Sequence, residues 1–189
     1  MQFCRIRRPR NPNNLFLTYN ALTDMVTSIS AAVEGAIDEA VVRRLLASVG
    51  GCITRTYLGN GRAGVLKNLY GYNNAARFAG WIVLVDLDDD ACAPPFRQRW
   101  LPEPAPFMCF RIAVRSIEAW LMGDRERIAT FLRVRPSLVP TDPENLPDPK
   151  DALVNLARHS RSSRIRDDMV PRPASGRRVG PLYTTRLLR

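Results

Sequence analysis

The chain has 189 residues, of which 46% are hydrophobic, and this fits one globular domain with a core of its own. No apolar run approaches the roughly 20 residues needed to cross a bilayer, and the basic amino terminus lacks the apolar core of a secretory signal. The four cysteines are scattered without metal-ligand spacing, as in reduced cytosolic proteins. We therefore predict a cytoplasmic protein that has no zinc site and does not associate with membranes.

The charge of the chain favours an anionic partner. The formal net charge is +10 and is carried almost wholly by arginine, since Lys67 and Lys150 are the only lysines. This balance favours a polyanion as partner, most simply DNA or RNA. The use of arginine in place of lysine could also reflect the base composition of the genome. Residues 1–24 combine arginines with prolines and asparagines, so we expect a flexible basic arm or extension there and a single domain over residues 25–189.

The first strand is predicted to end in acidic residues. Residues 25–33 alternate apolar and small polar types, which predicts a strand that runs into Glu34 and Gly35. Gly35 is expected to adopt the unusual backbone that a tight strand-to-helix turn needs. A helix with apolar residues at helical spacing follows, and Asp38 lies in its first turn, where the helix dipole favours negative charge.

A glycine-rich connection follows the second strand. Residues 52–58 predict that strand, and Gly59, Gly61 and Gly64 lead into a helix expected over residues 65–78. The connection lacks the Gly-Lys-Ser/Thr ending of a P-loop. Its amides could hold an anion at the helix start, and a simple flexible turn explains the glycines equally well.

The third predicted strand carries the most acidic segment of the chain. Residues 80–86 are predicted to form a strand that is buried on both faces, because residues 81–85 are all apolar. The strand runs directly into the acidic segment Asp86-Leu-Asp88-Asp89-Asp90. Asp86 and Asp88 point to the same side because side chains alternate along a strand. Two converging carboxylates repel each other unless a cation, usually divalent, lies between them. An acidic, solvated turn is the alternative.

The rest of the chain continues the alternation of strands and helices. We expect a fourth strand over residues 107–114, a helical turn that contains Glu118, and helices over residues 125–134 and 150–159. A proline-rich loop separates those two helices. Residues 160–189 form a weakly patterned basic tail in which Tyr183 could belong to a last helix.

This order predicts an α/β fold with a mainly parallel, Rossmann-like sheet and helices on both faces. Ligands bind such sheets at the carboxyl ends of the strands. Glu34, Asp86 and Asp88 lie at such ends, and Glu118 lies just beyond another. The sequence therefore predicts that these carboxylates share one edge of the sheet.

The ordered combination of motifs resembles the Toprim domain of topoisomerases, primases and nucleases of the overcoming-lysogenization-defect type. It is most similar to a stand-alone bacterial Toprim-like family of unknown function, over residues 25–189. The motifs that carry the resemblance are Val33-Glu34-Gly35, Asp86-Leu-Asp88, Cys92-Ala-Pro94, Glu-Ala-Trp-Leu (118–121), Asp-Pro-Lys (148–150) and Gly-Pro-Leu-Tyr (180–183).

The resemblance implies a metal-dependent nuclease. Asp86 and Asp88 would hold Mg²⁺, or Mn²⁺ in its place, with Glu34 as a third ligand or as the general acid/base. Glu118, together with Asp38 or Asp124, would hold a second metal. Lys150 would stabilise charge in the transition state. DNA or RNA is the implied substrate, and a second copy of the chain or a protein of a defence system stays open as a further partner.

Three alternatives compete with this interpretation. Asp86-Leu-Asp88 after an apolar strand also resembles the nucleophile motif of haloacid-dehalogenase phosphohydrolases, but that family has Thr or Val where Asp90 stands and carries the motif on its first strand. The arginines also fit a non-catalytic nucleic-acid-binding protein. Finally, Glu118 could serve only to pair with a neighbouring arginine such as Arg115.

Overall fold

The computed structural model of the chain describes residues 27–188, so the predicted arm over residues 1–24 lies outside the described residues. Its centre is a four-stranded sheet in which every neighbouring pair of strands is parallel. The strands are Thr27–Val33 (β1), Gly51–Leu58 (β2), Gly80–Asp86 (β3) and Met108–Ala113 (β4), in the spatial order β2-β1-β3-β4. The predicted α/β class with a parallel sheet is confirmed.

Nine α-helices surround the sheet in the described part of the chain. They are Ala36–Ala47 (α1), Arg62–Lys67 (α2), Leu69–Ala75 (α3), Ala93–Trp100 (α4), Ile117–Gly123 (α5), Arg125–Leu132 (α6), Pro149–Arg158 (α7), Ser163–Met169 (α8) and Tyr183–Leu187 (α9). Two short 3₁₀ helices, Pro136–Leu138 and Pro143–Asn145, occupy the predicted proline-rich loop. No helix within residues 27–188 combines the length and the apolar character that crossing a membrane requires.

Helices cover both faces of the sheet, as the continuous apolar runs of the strands predict. Val85 of β3 belongs to a cluster that includes Leu69 of α3 and Phe96 of α4. Leu84, the preceding residue, belongs to a different cluster that includes Val42 of α1. Alternation along the strand therefore directs neighbouring side chains into two cores, one on each face.

A third core joins the carboxyl-terminal helices, in which the expected last helix around Tyr183 is present as α9, whereas α8 was not predicted. Ile165 and Met169 of α8 are buried together with Tyr183 of α9. Ile165 and Met169 are four residues apart, so they share one helix face. The helix was missed because these two are the only strongly apolar residues in a short, otherwise charged segment.

Two further local predictions are wrong. The helix expected over residues 65–78 is divided at Asn68, whose side-chain amide donates to the carbonyl of Gly64 at 3.0 Å, the kind of local bond with which Asn competes against regular helix. Gly35 has φ −154° and ψ −174°, an extended conformation open to any residue. The start of α1 therefore does not depend on the conformational freedom of glycine.

Candidate functional site

The sheet topology brings two acidic strand ends together. The chain passes from β1 through α1 to β2 on one side, and then returns to place β3 on the other side of β1. The direction of winding therefore reverses between β1 and β3, and the crevice at such a reversal is where open α/β sheets bind ligands. Glu34 directly follows β1 and Asp86 ends β3, so both residues lie at this crevice.

Backbone hydrogen bonds fix both carboxylates. Glu34 Oε1 accepts the backbone N–H of Asp86 at 2.7 Å, so the two strand ends are joined directly. Asp86 Oδ1 accepts the backbone N–H of Ile117 at 2.9 Å, which ties β3 to the start of α5. Because the bonded atoms belong to the strand ends and a helix start, the carboxylates are held by the scaffold itself.

The glycine-rich connection supports Glu34 from the other side. The backbone N–H of Gly59 donates to the carbonyl of Val33 at 2.9 Å, and that of Gly61 donates to the carbonyl of Glu34 at 3.2 Å. Gly61 has φ 107°, a conformation that strongly favours glycine. Both amides are thus engaged within the protein, which favours the turn over the anion-binding loop that the sequence left open.

The proton affinities of these acids are raised. Burial raises the pKa of Asp86 to about 8, and the negative charges of Glu34, Asp38, Glu118 and Asp88 contribute in the same direction. Burial likewise raises the pKa of Glu34 to about 7, opposed in part by the hydrogen bond from the Asp86 amide. Both pKa values lie near neutral pH because burial penalises the charged form of each carboxylate and neighbouring carboxylates add to the effect.

Asp38 adds a buried acid with an incomplete set of partners. It is only 6% exposed, and its Oδ2 accepts the backbone N–H of Gly35 at 3.1 Å. Its Oδ1 is buried and has no hydrogen-bond partner among the described residues. Burial raises the pKa of Asp38 as well, with a further contribution from the charge of Glu118.

Arginines neutralise the end of the acidic segment. Asp90 pairs with Arg62 at 2.9 Å and with Arg99 at 2.8 Å, whereas the half-exposed Asp88 lies 3.4 Å from Arg62 Nε. Asp88 has φ 49°, a left-handed conformation, and its carbonyl accepts a 2.6 Å bond from Arg115. Asp90 is therefore committed to structural ion pairs and Asp88 shares Arg62 with it, whereas Asp86 has no ion pair within residues 27–188.

Glu118 is more enclosed than the sequence indicated. It is 2% exposed and accepts hydrogen bonds from the Ser116 hydroxyl at 2.9 Å and the Tyr183 hydroxyl at 3.2 Å. Lys150 Nζ lies 3.4 Å from its Oε1. The alternative pairing with Arg115 is wrong, because that guanidinium reaches the backbone of the acidic loop instead.

Asp124, the alternative partner for Glu118 in a second metal site, is engaged elsewhere. Its carboxylate accepts the backbone N–H of Arg127 at 3.1 Å, which caps the start of α6, and lies 3.4 Å from the guanidinium of the same arginine. Asp38 is therefore the better candidate to hold a second metal ion with Glu118, because the charge of Glu118 acts on Asp38 and raises its pKa.

A cavity of about 290 Å³ opens at this edge of the sheet. Of the predicted site residues, Asp86, Asp88, Glu118 and Lys150 line it, while Glu34 and Asp38 are not part of its wall. The basic side chains around the acids are Arg62, Arg115, Lys150 and Arg178. Arg62 was not singled out from the sequence, because the helix that it begins was expected to start only at residue 65.

The donor chemistry fits a hard divalent cation. Glu34, Asp38 and Asp86 offer only oxygen atoms, and one of these, Asp38 Oδ1, is buried without a partner. None of the three forms an ion pair with a cation in residues 27–188. As the side chains stand, no three His, Cys, Asp or Glu residues of the described part are gathered closely enough to hold a metal ion.

Comparisons with protein-family models, with curated proteins and with solved structures found no match to this chain. The resemblance to Toprim domains therefore stays a prediction from the motifs.

Proposed function

We propose that the protein is a Mg²⁺-dependent enzyme that cleaves phosphodiester bonds in DNA or RNA, and that it acts in the cytoplasm. The observation that carries this proposal is the lack of compensating charge at Glu34, Asp38 and Asp86, three acids that are not gathered closely enough to hold a metal ion in the present side-chain positions. These acids are buried or half-buried at the crevice between β1 and β3, and none has an ion-pair partner among residues 27–188. A bound divalent cation would compensate their charge, and the Toprim-like motifs agree with that assignment.

Asp86 and Asp88 would hold the metal, with Glu34 either completing the ligand set or accepting the proton of the attacking water. Mg²⁺, or Mn²⁺ in its place, would polarise the phosphodiester and neutralise developing charge. A side chain with a pKa of about 7, as Glu34 has in the metal-free protein, is suited to proton transfer at neutral pH. Asp38, whose Oδ1 is unpartnered, and Glu118 would hold a second ion.

Lys150 is proposed to meet the negative charge of the phosphate. Its ammonium group is held by the buried carboxylate of Glu118 and lines the same cavity as Asp86. Preorganised cations of this kind stabilise charge that develops in a transition state. Arg115, which is fastened to the carbonyl of Asp88, supplies a further positive group at the cavity wall.

The test is a Mg²⁺ titration of cleavage with plasmid, single-stranded DNA and single-stranded RNA as substrates. Glu34→Gln and Asp86→Asn keep a side-chain oxygen for the observed hydrogen bonds but remove the charge. We expect each to lower cleavage at least about 100-fold, in the range of lost acid–base or metal-ligand function. Asp167→Asn, a change at an exposed acid of α8, is the matched control. Full activity in either site variant would refute the proposed mechanism.

A second candidate is a non-catalytic nucleic-acid-binding protein, which the net charge of +10 favours. Binding that weakens steeply with salt, without turnover under Mg²⁺ or Mn²⁺, would identify it.

A further inference from the structure

A second cavity, of about 390 Å³, lies between α2 and α4. We call it the Trp100 groove and define it by Arg62, Lys67, Phe96, Arg99 and Trp100, which all line it. Its volume is in the range of sites that hold one small organic group. Three of these five side chains are cationic, and the only carboxylate in its wall is Asp90.

The groove presents an aromatic surface beside its cations. Trp100 is 42% exposed, whereas Phe96 beneath it is buried. The guanidinium groups of Arg62 and Arg99 lie 5.5 Å and 5.4 Å from the centre of the Phe96 ring, so that ring is already occupied by cation–π contacts. The indole of Trp100 is therefore the surface on which a flat ligand can stack.

The cations of the groove are only partly neutralised. Arg99 pairs with Asp90, and Arg62 pairs with both Asp88 and Asp90. Lys67, by contrast, is exposed and forms no ion pair with any residue of the described range. An exposed indole beside two arginines and a lysine without an ion pair in the described range matches a nucleotide, because every base has a π-face and every linkage carries a negative charge.

The groove is continuous with the candidate catalytic cavity. Arg62 belongs to the walls of both cavities, and its guanidinium pairs with Asp88 on one side and with Asp90 on the other. A strand with one nucleotide in the groove would therefore present a neighbouring phosphate to the acidic edge. A paired base cannot stack on Trp100 in this way, because its faces are covered by its neighbours in the duplex.

We propose that the Trp100 groove binds one unpaired nucleotide of single-stranded DNA or RNA, with the base stacked on the indole and the flanking phosphates held by the groove's three cations. This inference rests on the proposed function, since it specifies the form of nucleic acid that the candidate site receives.

The experiment measures binding without cleavage. Fluorescently labelled oligo-dT and oligo-rU of about 12 nucleotides, and a duplex of the same length, are titrated with the full chain in EDTA. Trp100→Leu keeps apolar bulk but removes the π-face, and Trp100→Phe keeps a smaller one. We expect Trp100→Leu to weaken single-strand binding about 5- to 100-fold, Trp100→Phe to weaken it less, and neither to change duplex binding.

The matched control for the lost aromatic is Phe78→Leu. Phe78 is 88% exposed and lies just before the amino end of β3, at the opposite edge of the sheet from Asp86. For the cations, Lys67→Ala is compared with Arg77→Ala, another exposed position near Phe78. Lys67→Ala should reduce the salt dependence of single-strand binding by about 0.7 in the logarithmic slope, and Arg77→Ala should not.

The outcomes separate this inference from the proposed function. Unchanged single-strand binding by Trp100→Leu, or an equal loss with the duplex, overturns the groove assignment, whatever the cleavage assays give. Failure of wild-type protein to bind single strands overturns it as well. Selective loss in Trp100→Leu supports the groove even where Glu34→Gln retains cleavage, a result that would refute the metal mechanism alone.

Discussion

The raised pKa values at the acidic edge predict how the metal-free protein responds to pH. Asp86 has a pKa of about 8 in the folded chain, against 3.8 for an unperturbed aspartate. The folded state therefore binds more protons than the unfolded state between about pH 4 and pH 8, and its stability falls as pH rises through that window. Asp86→Asn removes this titration while its side-chain oxygen can still accept the bond from Ile117.

The change in the free energy of unfolding follows from the difference between the pKa values of Asp86 in the folded and unfolded chain. Between 3.8 and about 8, at about 1.4 kcal/mol for each pH unit, the full effect would be about 6 kcal/mol. Asp86 lines a cavity open to solvent, and water there screens part of the repulsion, so we expect about 2–3 kcal/mol. For a chain of this length, this corresponds to a gain of about 4–12 °C in Tm for Asp86→Asn at pH 9.

The assay is urea unfolding followed by tryptophan fluorescence, in EDTA, at pH 5, 7 and 9. Wild-type protein should lose stability across this range, and Asp86→Asn should lose much less, so that the two differ most at pH 9. Asp167→Asn should follow the wild type. Parallel pH profiles for wild type and Asp86→Asn, or a variant that is less stable at pH 9, would refute the conclusion that Asp86 carries an uncompensated buried charge.

Three further predictions concern stability. At a Mg²⁺ concentration about 100 times Kd, the wild type should gain about 2.7 kcal/mol at pH 8, and calorimetry should show no such gain for Asp86→Asn. Tyr183→Phe removes a buried hydrogen bond to a carboxylate and should cost about 1.5–3 kcal/mol in urea unfolding, whereas Tyr70→Phe, at an exposed position, should cost nothing measurable. Gly64→Ala would press a Cβ against the backbone oxygen of Gly59 and should lower Tm sharply, whereas Gly71→Ala, with open space around it, should raise Tm slightly.

The sheet and its acidic edge could be predicted because their signals are local. Residues 81–85 form an unbroken apolar run, which is typical of a parallel strand buried on both faces. The positions of Glu34 and Asp86 then follow, because parallel strands end at the same edge. Neither the strands nor their shared edge depends on contacts between side chains that are distant in the sequence.

The partners of individual side chains could not be predicted, because they depend on contacts between distant segments. Glu118 is held by Lys150 and Tyr183, which lie 32 and 65 residues further along the chain and reach it only through the packing of the third core. Asp90 is paired with Arg62 across the glycine-rich turn. The acidic segment therefore looked uniform in the sequence, although its members have different roles in the fold.

The distribution of ion pairs bears on the choice between an acidic turn and a metal site. The chain has an excess of ten positive charges. Glu39, Asp90 and Glu118 each form an ion pair with an arginine or lysine nitrogen no more than 3.4 Å away. Glu34 and Asp86 have no such cation among the described residues, although arginines line the cavity to which Asp86 belongs. A solvated turn would expose such carboxylates to water, yet burial is the first cause of the raised pKa of both. Their charge has to be compensated by protons or by an added cation, and the proposed function supplies that cation as Mg²⁺.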